Sequence, residues 1–565
     1  MYPGMREHKL KSMNFSSRKA TVYGTRYAVS SSQQIATQVG MDILANGGNA
    51  ADAAIAVAAT LAITEPCSTG LGGDCFCLFY NAKEKKVYAL NGSGRSAMDS
   101  SLQSIKTRLG PEAKSIPFDD IEAITVPGAA AGWVDTIENF GSGKYSLSQL
   151  LEPAIEYAQD GYPVSEIVAQ NWASQLDELK AASPNYHEVT VDGNRGPNQG
   201  EIFKNPTYAD TLKRLAKDGK DGFYKGFVAE AIVKVIQERG GKITLEDLAS
   251  HKSTIVEPIH LDYKGYSVYE CPPNGQGIVA LEALGILDSL VKLKVIPEIS
   301  QMQHNSSEYL HAIIESLRLA FSDAFQHVGD PDLFPDFNHN SLLSKEYLDK
   351  RSSEFSPLEK NNNIVHGYPI SSSDTVYFCT LDEQGNGCSF INSNYTGFGC
   401  VVPKGCGFTL QNRGSNFSLT DNSNAGGKNV YEPGKRPYHT IIPSLITKDD
   451  ELFAVFGVMG GFMQPQGHLQ VFLNMIEFGM EPQVALDAPR VCIDPNEKEE
   501  NVLVEDGISC AQELQKLGHK IELVCGAERS AFGRGQIIQR QVDDNQNVVL
   551  SAGCDPRSDG CSSAR

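Results

Sequence analysis

The apolar positions change period along the chain. Thr21 to Ser30 alternates as a strand, and Ser32 is placed to cap a helix carrying Ile35, Val39 and Ile43 on one face, closed by Gly47-Gly48. A second helix, rich in alanine, runs from Asn49 to Ile63 and ends near Glu65-Pro66; small side chains on nearly every face predict tight burial. Cys75 to Asn81 and Lys86 to Leu90 read as a hairpin. Helical spacing dominates from Pro127 to about Lys350, as in Leu147/Leu150/Leu151/Ile155, 227–238, 278–293 and 307–325. From Thr375 strands return at 375–381, 387–393, 438–446 and 452–458, with later strands at 519–525, 533–540 and 546–552 and helices near 466–478 and 510–517. Strands drawn from both ends of the chain around a helical middle predict a layered α+β or α/β sandwich. The 350–374 segment is the best candidate boundary.

Composition narrows the partners. A net charge of −20 over 565 residues argues against nucleic acid and anionic membrane surfaces. No uncharged apolar window reaches the roughly 18 residues of a membrane helix; the nearest, Ala53 to Ile63, is too short. The basic first residues lack the apolar stretch of roughly 7–15 residues that a secretory signal needs, and read as a disordered tail over 1–26. Thirteen cysteines, none in a Cys-x-x-Cys pair, suggest buried thiols in a reducing cytoplasm rather than zinc or a disulfide framework. The histidines, His304 and His311 among them, fall at no metal-ligand spacing and read as structural or surface residues. No metal or cofactor is expected.

The richest chemistry lies at Asp374-Thr375. A polar stretch, NNNIVHGYPISSS, ends there and a strand, TVYFCTLDEQGNGCSFINSN, begins with threonine. Cutting the bond before Thr375 would set its hydroxyl beside a new α-amine, so one residue would supply nucleophile and base. A threonine opening a strand is ordinary in itself. Two glycine clusters, Gly70 to Asp74 and Gly457 to Gly461, fit no phosphate-binding pattern. Gly460 and Gly461 follow a strand and precede a helix, so their N–H groups could form an oxyanion hole or merely a tight turn. Arg95, in Asn91-Gly92-Ser93-Gly94-Arg95, could hold a carboxylate or sit solvated on the surface.

Together these stretches resemble the γ-glutamyltransferase (glutathione hydrolase) family of N-terminal nucleophile hydrolases over roughly residues 27 to 560. The resemblance rests on GGNAADAAIAVAATLAITEPCSTGLGGDCF, NGSGR, TVPGAAAGW, TLEDLASHKSTIVEPIHLDYKGY, CPPNGQG, HAIIESLRLAFSDAF, DTVYFCTLDEQGN, GKRPYHTIIPSL, VMGGFMQPQG and Asp555-Pro556-Arg557, all in the family's order. It implies a four-layer αββα sandwich of the α+β class, made as a precursor that cuts itself before Thr375. The large piece, 27–374 with its tail, and the small piece, 375–565, would stay together as a heterodimer. It further implies Thr375 as nucleophile, Gly460 and Gly461 as oxyanion donors, Ser393 as the hydroxyl bonded to the nucleophile, and Arg95 as the grip on the substrate's α-carboxylate.

Departures from the family pattern shape the expected substrate. The new N-terminus would read Thr375-Val376-Tyr377 where Thr-Thr-His is common. Tyr395, Arg413 and Asn416 align with the residues that surround the donor's α-ammonium, and His439-Thr440 replace paired serines. An arginine about 4 Å from an ammonium repels it by ~4 kcal/mol at an effective dielectric near 20. The resemblance therefore points to hydrolysis over transfer. The substrate would be a small acidic amide, such as glutathione, a γ-glutamyl compound or a related acidic acyl amide. Acylases for β-lactam side chains and amidohydrolases for short dicarboxylic monoamides are alternatives, as is an unprocessed homologue that binds without chemistry.

Overall fold

The computed structural model describes residues 19–364, 374–420, 427–495 and 500–565. Two seven-stranded antiparallel sheets stack face to face, each covered on its outer side by helices. The first sheet runs, edge to edge, Cys561–Ala564, Ala28–Ser31, Asp374–Leu381, Gly387–Tyr395, Asp74–Asn81, Lys86–Gly92, Thr254–Val256. The second runs Val22–Gly24, Val548–Cys554, Arg534–Val542, Glu451–Met459, Ser444–Lys448, Tyr266–Glu270, Ile259–Tyr263. The expected four-layer αββα sandwich of the α+β class is therefore present.

Strand alternation builds the layers. Along Asp374–Leu381, Val376 and Phe378 face the helices, whereas Tyr377, Cys379 and Leu381 enter the core between the sheets. Both faces are buried, which is why this strand reads as one apolar run. The helix Ala50–Thr64 is buried at all fifteen positions and opens with a capping box between Asn49 and Asp52. Its alanines admit the neighbouring helix Gln34–Ala45 so closely that a Cβ on Gly40 would lie 2.7 Å from Val57. On the second sheet, Gly277–Lys292, Ser307–His327 and Met463–Ile476 form the opposite layer.

Residues before and after Asp374-Thr375 alternate within both sheets. Asp374–Leu381 and Gly387–Tyr395 lie between Ala28–Ser31 and Asp74–Asn81, and Ser444–Lys448 pairs with Tyr266–Glu270. Separating the two parts would break the ladders of both sheets.

Several elements differ from the sequence reading. Gln33, not Ser32, is the N-cap of the first helix, and it makes no side-chain cap. The span 21–30 divides into Val22–Gly24 and Ala28–Ser31, which join different sheets; Val22–Gly24 pairs with Val548–Cys554, so the tail expected over 1–26 does not reach that far. The mostly helical middle also holds the strands Thr254–Val256, Ile259–Tyr263 and Tyr266–Glu270, which are too short to register against the surrounding helical period. Residues 438–443 are not a strand; the ladder begins at Ser444. A three-stranded sheet, Val491–Pro495, Glu500–Glu505 and Lys520–Val524, stands outside the sandwich. The candidate boundary at 350–374 is a helix end at Ser352 and an anchored turn up to Ile364, and its 365–373 portion lies outside the described residues. All thirteen cysteines are free thiols, buried except Cys525 and the half-buried Cys561. No helix among the described residues is long and apolar enough to cross a membrane.

Candidate active site

Thr375 sits where the ladder between Asp374–Leu381 and Gly387–Tyr395 slips. Asp374 pairs with Tyr395 but Val376 with Asn392, so Ser393 and Asn394 together oppose Thr375. This bulge re-aims side chains, and it forces Tyr395 to φ 79°, a left-handed conformation rare for a bulky residue. Thr375 Oγ1 then lies 2.9 Å from Ser393 Oγ, with Thr375 only 1% exposed. Ser393 Oγ accepts from the Tyr395 N–H (2.8 Å) and from Arg413 Nη2 (3.3 Å). Thr375 Oγ1 and Ser393 Oγ are within hydrogen-bond reach of each other, and either hydroxyl can be the donor. A hydrogen bond to the threonine oxygen stabilises developing negative charge there. In the uncut chain the Thr375 nitrogen is a peptide amide, whose delocalised lone pair cannot act as base.

Arg413 lies on a short turn, Arg413–Asn416, and is completely buried. Its guanidinium stacks on the Tyr395 ring at 4.1 Å and donates from Nη1 to Thr440 Oγ1 at 2.6 Å. Tyr395 in turn donates to Asn416 Oδ1 at 2.5 Å, while the Asn416 amide donates to the Tyr438 carbonyl at 3.1 Å. Among the described residues the Arg413 side chain bonds only hydroxyls, with no ion pair, and its buried Nε has no acceptor. Burial lowers its pKa to about 10, leaving it a cation at neutral pH.

Asp74, which the sequence reading passed over, opens the strand Asp74–Asn81 directly opposite Ser393. Its Oδ1 accepts from the N–H groups of Gly94 (3.1 Å) and Gly128 (3.0 Å), and its Oδ2 lies 3.0 Å from His439 Nε2. Burial raises the carboxyl to about 7, a rise that Arg413 and the two amides restrain. Burial, reinforced by Arg413, holds His439 well below the ordinary imidazole value, so the ring is neutral. Only the position of Asp74 at the end of Gly-Leu-Gly-Gly could have drawn attention to it.

Gly460 and Gly461 take φ of 131° and 56° in the turn between Glu451–Met459 and Met463–Ile476. Neither N–H donates a hydrogen bond among the described residues. Gln276, also unforeseen, ties this turn to the loop that carries Thr440, the acceptor of Arg413, by donating to the Thr440 carbonyl (2.7 Å) and the Gly461 carbonyl (2.8 Å). Thr375, Ser393, Tyr395, Arg413, Asn416, His439 and Thr440 thus form one bonded constellation through Asp74 and Gln276. Arg95 stands apart from it: its Nη1 bonds to Asp330 at 2.7 Å and its Nη2 to Asp332 at 2.6 Å. Two carboxylates thus already lie on the guanidinium that the resemblance assigns to the substrate's α-carboxylate.

Among the described residues, one group could hold a metal by proximity alone: His311, Glu315 and His519, all buried, with ligand atoms within 4.8 Å of one another. His311 and Glu315 stand four apart on one helix, a spacing the sequence reading did not credit. The donors are committed elsewhere, however. His311 Nδ1 lies 2.7 Å from His519 Nε2, and Glu315 binds Arg318 and the Asn361 amide. These contacts anchor the chain leading to the junction, and the structural reading of His311 fits them.

The stacked sheets, with a threonine strand at their centre, define an N-terminal nucleophile hydrolase fold. A family model for gamma-glutamyltranspeptidase matches residues 36–564, and the chain belongs to that family of enzymes. It is 36% identical to the glutathione hydrolase-like YwrD proenzyme of Bacillus subtilis, over 96% of this chain and 98% of that protein. It is 30% identical to the oxamate amidohydrolase proenzyme of Klebsiella pneumoniae, over 93% and 96%. Among solved structures, cephalosporin acylase from Bacillus halodurans superposes with a TM-score of 0.85 at 40% identity, covering 98% of each chain.

Proposed function

We propose that this hydrolase cuts itself before Thr375 and then cleaves amides whose acyl part carries a carboxylate, with water favoured over an amine as acceptor. In maturation, Thr375 Oγ1 attacks the Asp374 carbonyl carbon and the C–N bond breaks with the proton passing to nitrogen. Water then hydrolyses the resulting ester, freeing the Asp374 carboxylate and the Thr375 α-amine. In turnover that amine takes the hydroxyl proton as Oγ1 attacks the donor carbonyl, and returns it to the leaving amine. The Gly460 and Gly461 N–H groups receive the oxyanion. Water repeats the attack on the acyl-enzyme, and the two pieces remain together because their strands interleave.

The buried guanidinium of Arg413, with no carboxylate partner among the described residues, carries the reading. An unpaired buried charge is costly unless an anion completes it, and Arg413 is bonded to Ser393, which touches the nucleophile. An α-ammonium there would meet repulsion from Arg413 without a direct bond to Asp74, whose oxygens already hold three donors. The names of the relatives are in keeping with this reading, oxamate being itself an amide that bears a carboxylate.

The test offers glutaryl and γ-glutamyl p-nitroanilides in parallel, with and without a dipeptide acceptor. Glutaryl should be the better donor and the acceptor should change little. Strong acceptor stimulation with the γ-glutamyl donor would overturn the preference for hydrolysis.

A further inference from the structure

We propose that Asp74, held against His439, is the counter-charge to Arg413 in the empty site, and that capture of an acidic acyl group takes up a proton at the Asp74–His439 pair. This rests on the reading that Arg413 receives the acyl carboxylate, and adds to it the means by which the site keeps its charge balanced.

The placement is built into the sheet. Thr375, Ser393 and Asp74 lie side by side on three adjacent strands, with Ser393 paired opposite Asp74. Two glycines bring their amides to Asp74 Oδ1. A Cβ on Gly94 would fall 1.6 Å from the Val126 carbonyl oxygen, and one on Gly128 would fall 1.9 Å from that of Gly92. Such a cradle holds a carboxylate in one orientation, turned to His439. The imidazole is positioned in turn by an edge-on contact with Phe76 at 4.8 Å, while the Ile441 N–H faces its Nδ1 at 3.4 Å.

The charges then constrain one another. Arg413 and Asp74 share a buried region and interact, yet they form no ion pair. Arg413 keeps its free N–H face for a donor instead of spending it on Asp74. Once an acyl carboxylate binds there, two carboxylates occupy one low-dielectric site, and two such groups do not both stay ionised. The remaining neighbours do not relieve this. Arg436 favours the ionised Asp74 but is itself committed to Asp330 and Asp332, while Cys75 and Tyr224 are held neutral by burial. The donor's charge being fixed, the proton goes to Asp74, whose carboxyl already titrates near neutrality.

The experiment measures KM for glutaryl p-nitroanilide and for its uncharged counterpart pentanoyl p-nitroanilide from pH 5.5 to 9, using the processed enzyme. Titration of the Thr375 amine affects both donors alike, so the ratio of the two KM values isolates the acyl carboxylate. The glutaryl-to-pentanoyl ratio should be flat below about pH 7 and rise by up to about tenfold per pH unit above it, as one linked proton requires. Asp74→Asn should abolish that rise. Should this variant not process, His439→Gln keeps a donor for Oδ2 and should move the inflection while preserving the slope. A flat wild-type ratio with glutaryl still preferred, a slope that survives Asp74→Asn, or an inflection unmoved by His439→Gln overturns the proposal. No preference for glutaryl at any pH would instead sink the underlying reading of Arg413.

Discussion

Replacing Arg413 by methionine keeps a stem over the Tyr395 ring and removes the cation. Two guanidinium N–H groups serve Thr440 and Ser393, so three of the five that an arginine carries face elsewhere. A carboxylate meeting that face gains charged hydrogen bonds worth about 1.5–3 kcal/mol. The bare Coulomb attraction at about 4 Å, near 4 kcal/mol at an effective dielectric of 20, sets the ceiling before desolvation is subtracted. Arg413→Met should therefore cut kcat/KM for glutaryl p-nitroanilide about 10- to 150-fold relative to pentanoyl p-nitroanilide, at about 1.4 kcal/mol per tenfold. The ratio is needed because Arg413 also bonds Ser393, and its loss will slow both donors through the nucleophile. The γ-glutamyl donor should suffer less than glutaryl, since the repulsion on its ammonium goes too. Arg413→Lys restores charge without the planar fork and should recover part of the loss. Equal losses for glutaryl and pentanoyl donors would refute the reasoning and reduce Arg413 to a support for Ser393.

Thr375→Ala should remain a single band on denaturing electrophoresis and turn over nothing, whereas Thr375→Ser should still give two bands, more slowly. N-terminal sequencing of the small piece should read Thr-Val-Tyr-Phe; any other start refutes the assigned nucleophile. Gly460→Ala places a side chain at φ 131°, a strain of about 1–3 kcal/mol, and should lower kcat at least tenfold with a smaller change in KM. Arg318 joins Glu315 before the junction to Glu500 after it, at 2.7 and 2.6 Å. Arg318→Ala, by stranding the buried Glu315 carboxylate, should cost about 3–5 kcal/mol and lower the denaturant concentration at which the processed pieces separate. Asp74 titrates at about 7 in the fold against 3.8 for the free group. Its contribution to stability is therefore complete below about pH 4 and lost as pH rises through 7. Relative to Asp74→Asn, thermal stability should fall across that window by at most about 4 kcal/mol.

The long elements were legible because their patterns are local. The alanine helix at 50–64 and the alternating run after Thr375 each carry enough residues to show a period. The hairpin Ile259–Tyr263 and Tyr266–Glu270 has only five residues per strand and lies between helices, so its alternation is submerged. Site residues divide in the same way. Thr375, Gly460 and Gly461 are singled out by the family resemblance, since a threonine after a loop and glycines between strand and helix are ordinary in themselves. Arg95 hides its ion pairs for a physical reason: its partners Asp330 and Asp332 lie over two hundred residues away, and no local pattern reveals a bond over such a distance. Asp74 escaped for the converse reason, since a single carboxylate gains its meaning only when Gly94, Gly128 and His439 converge on it. Sequence can nominate the nucleophile of such an enzyme, whereas charge balance around it is a property of the assembled sheet. It follows that donor preference, which depends on that balance, should respond to Asp74 and Arg413 even in variants whose Thr375 matures normally.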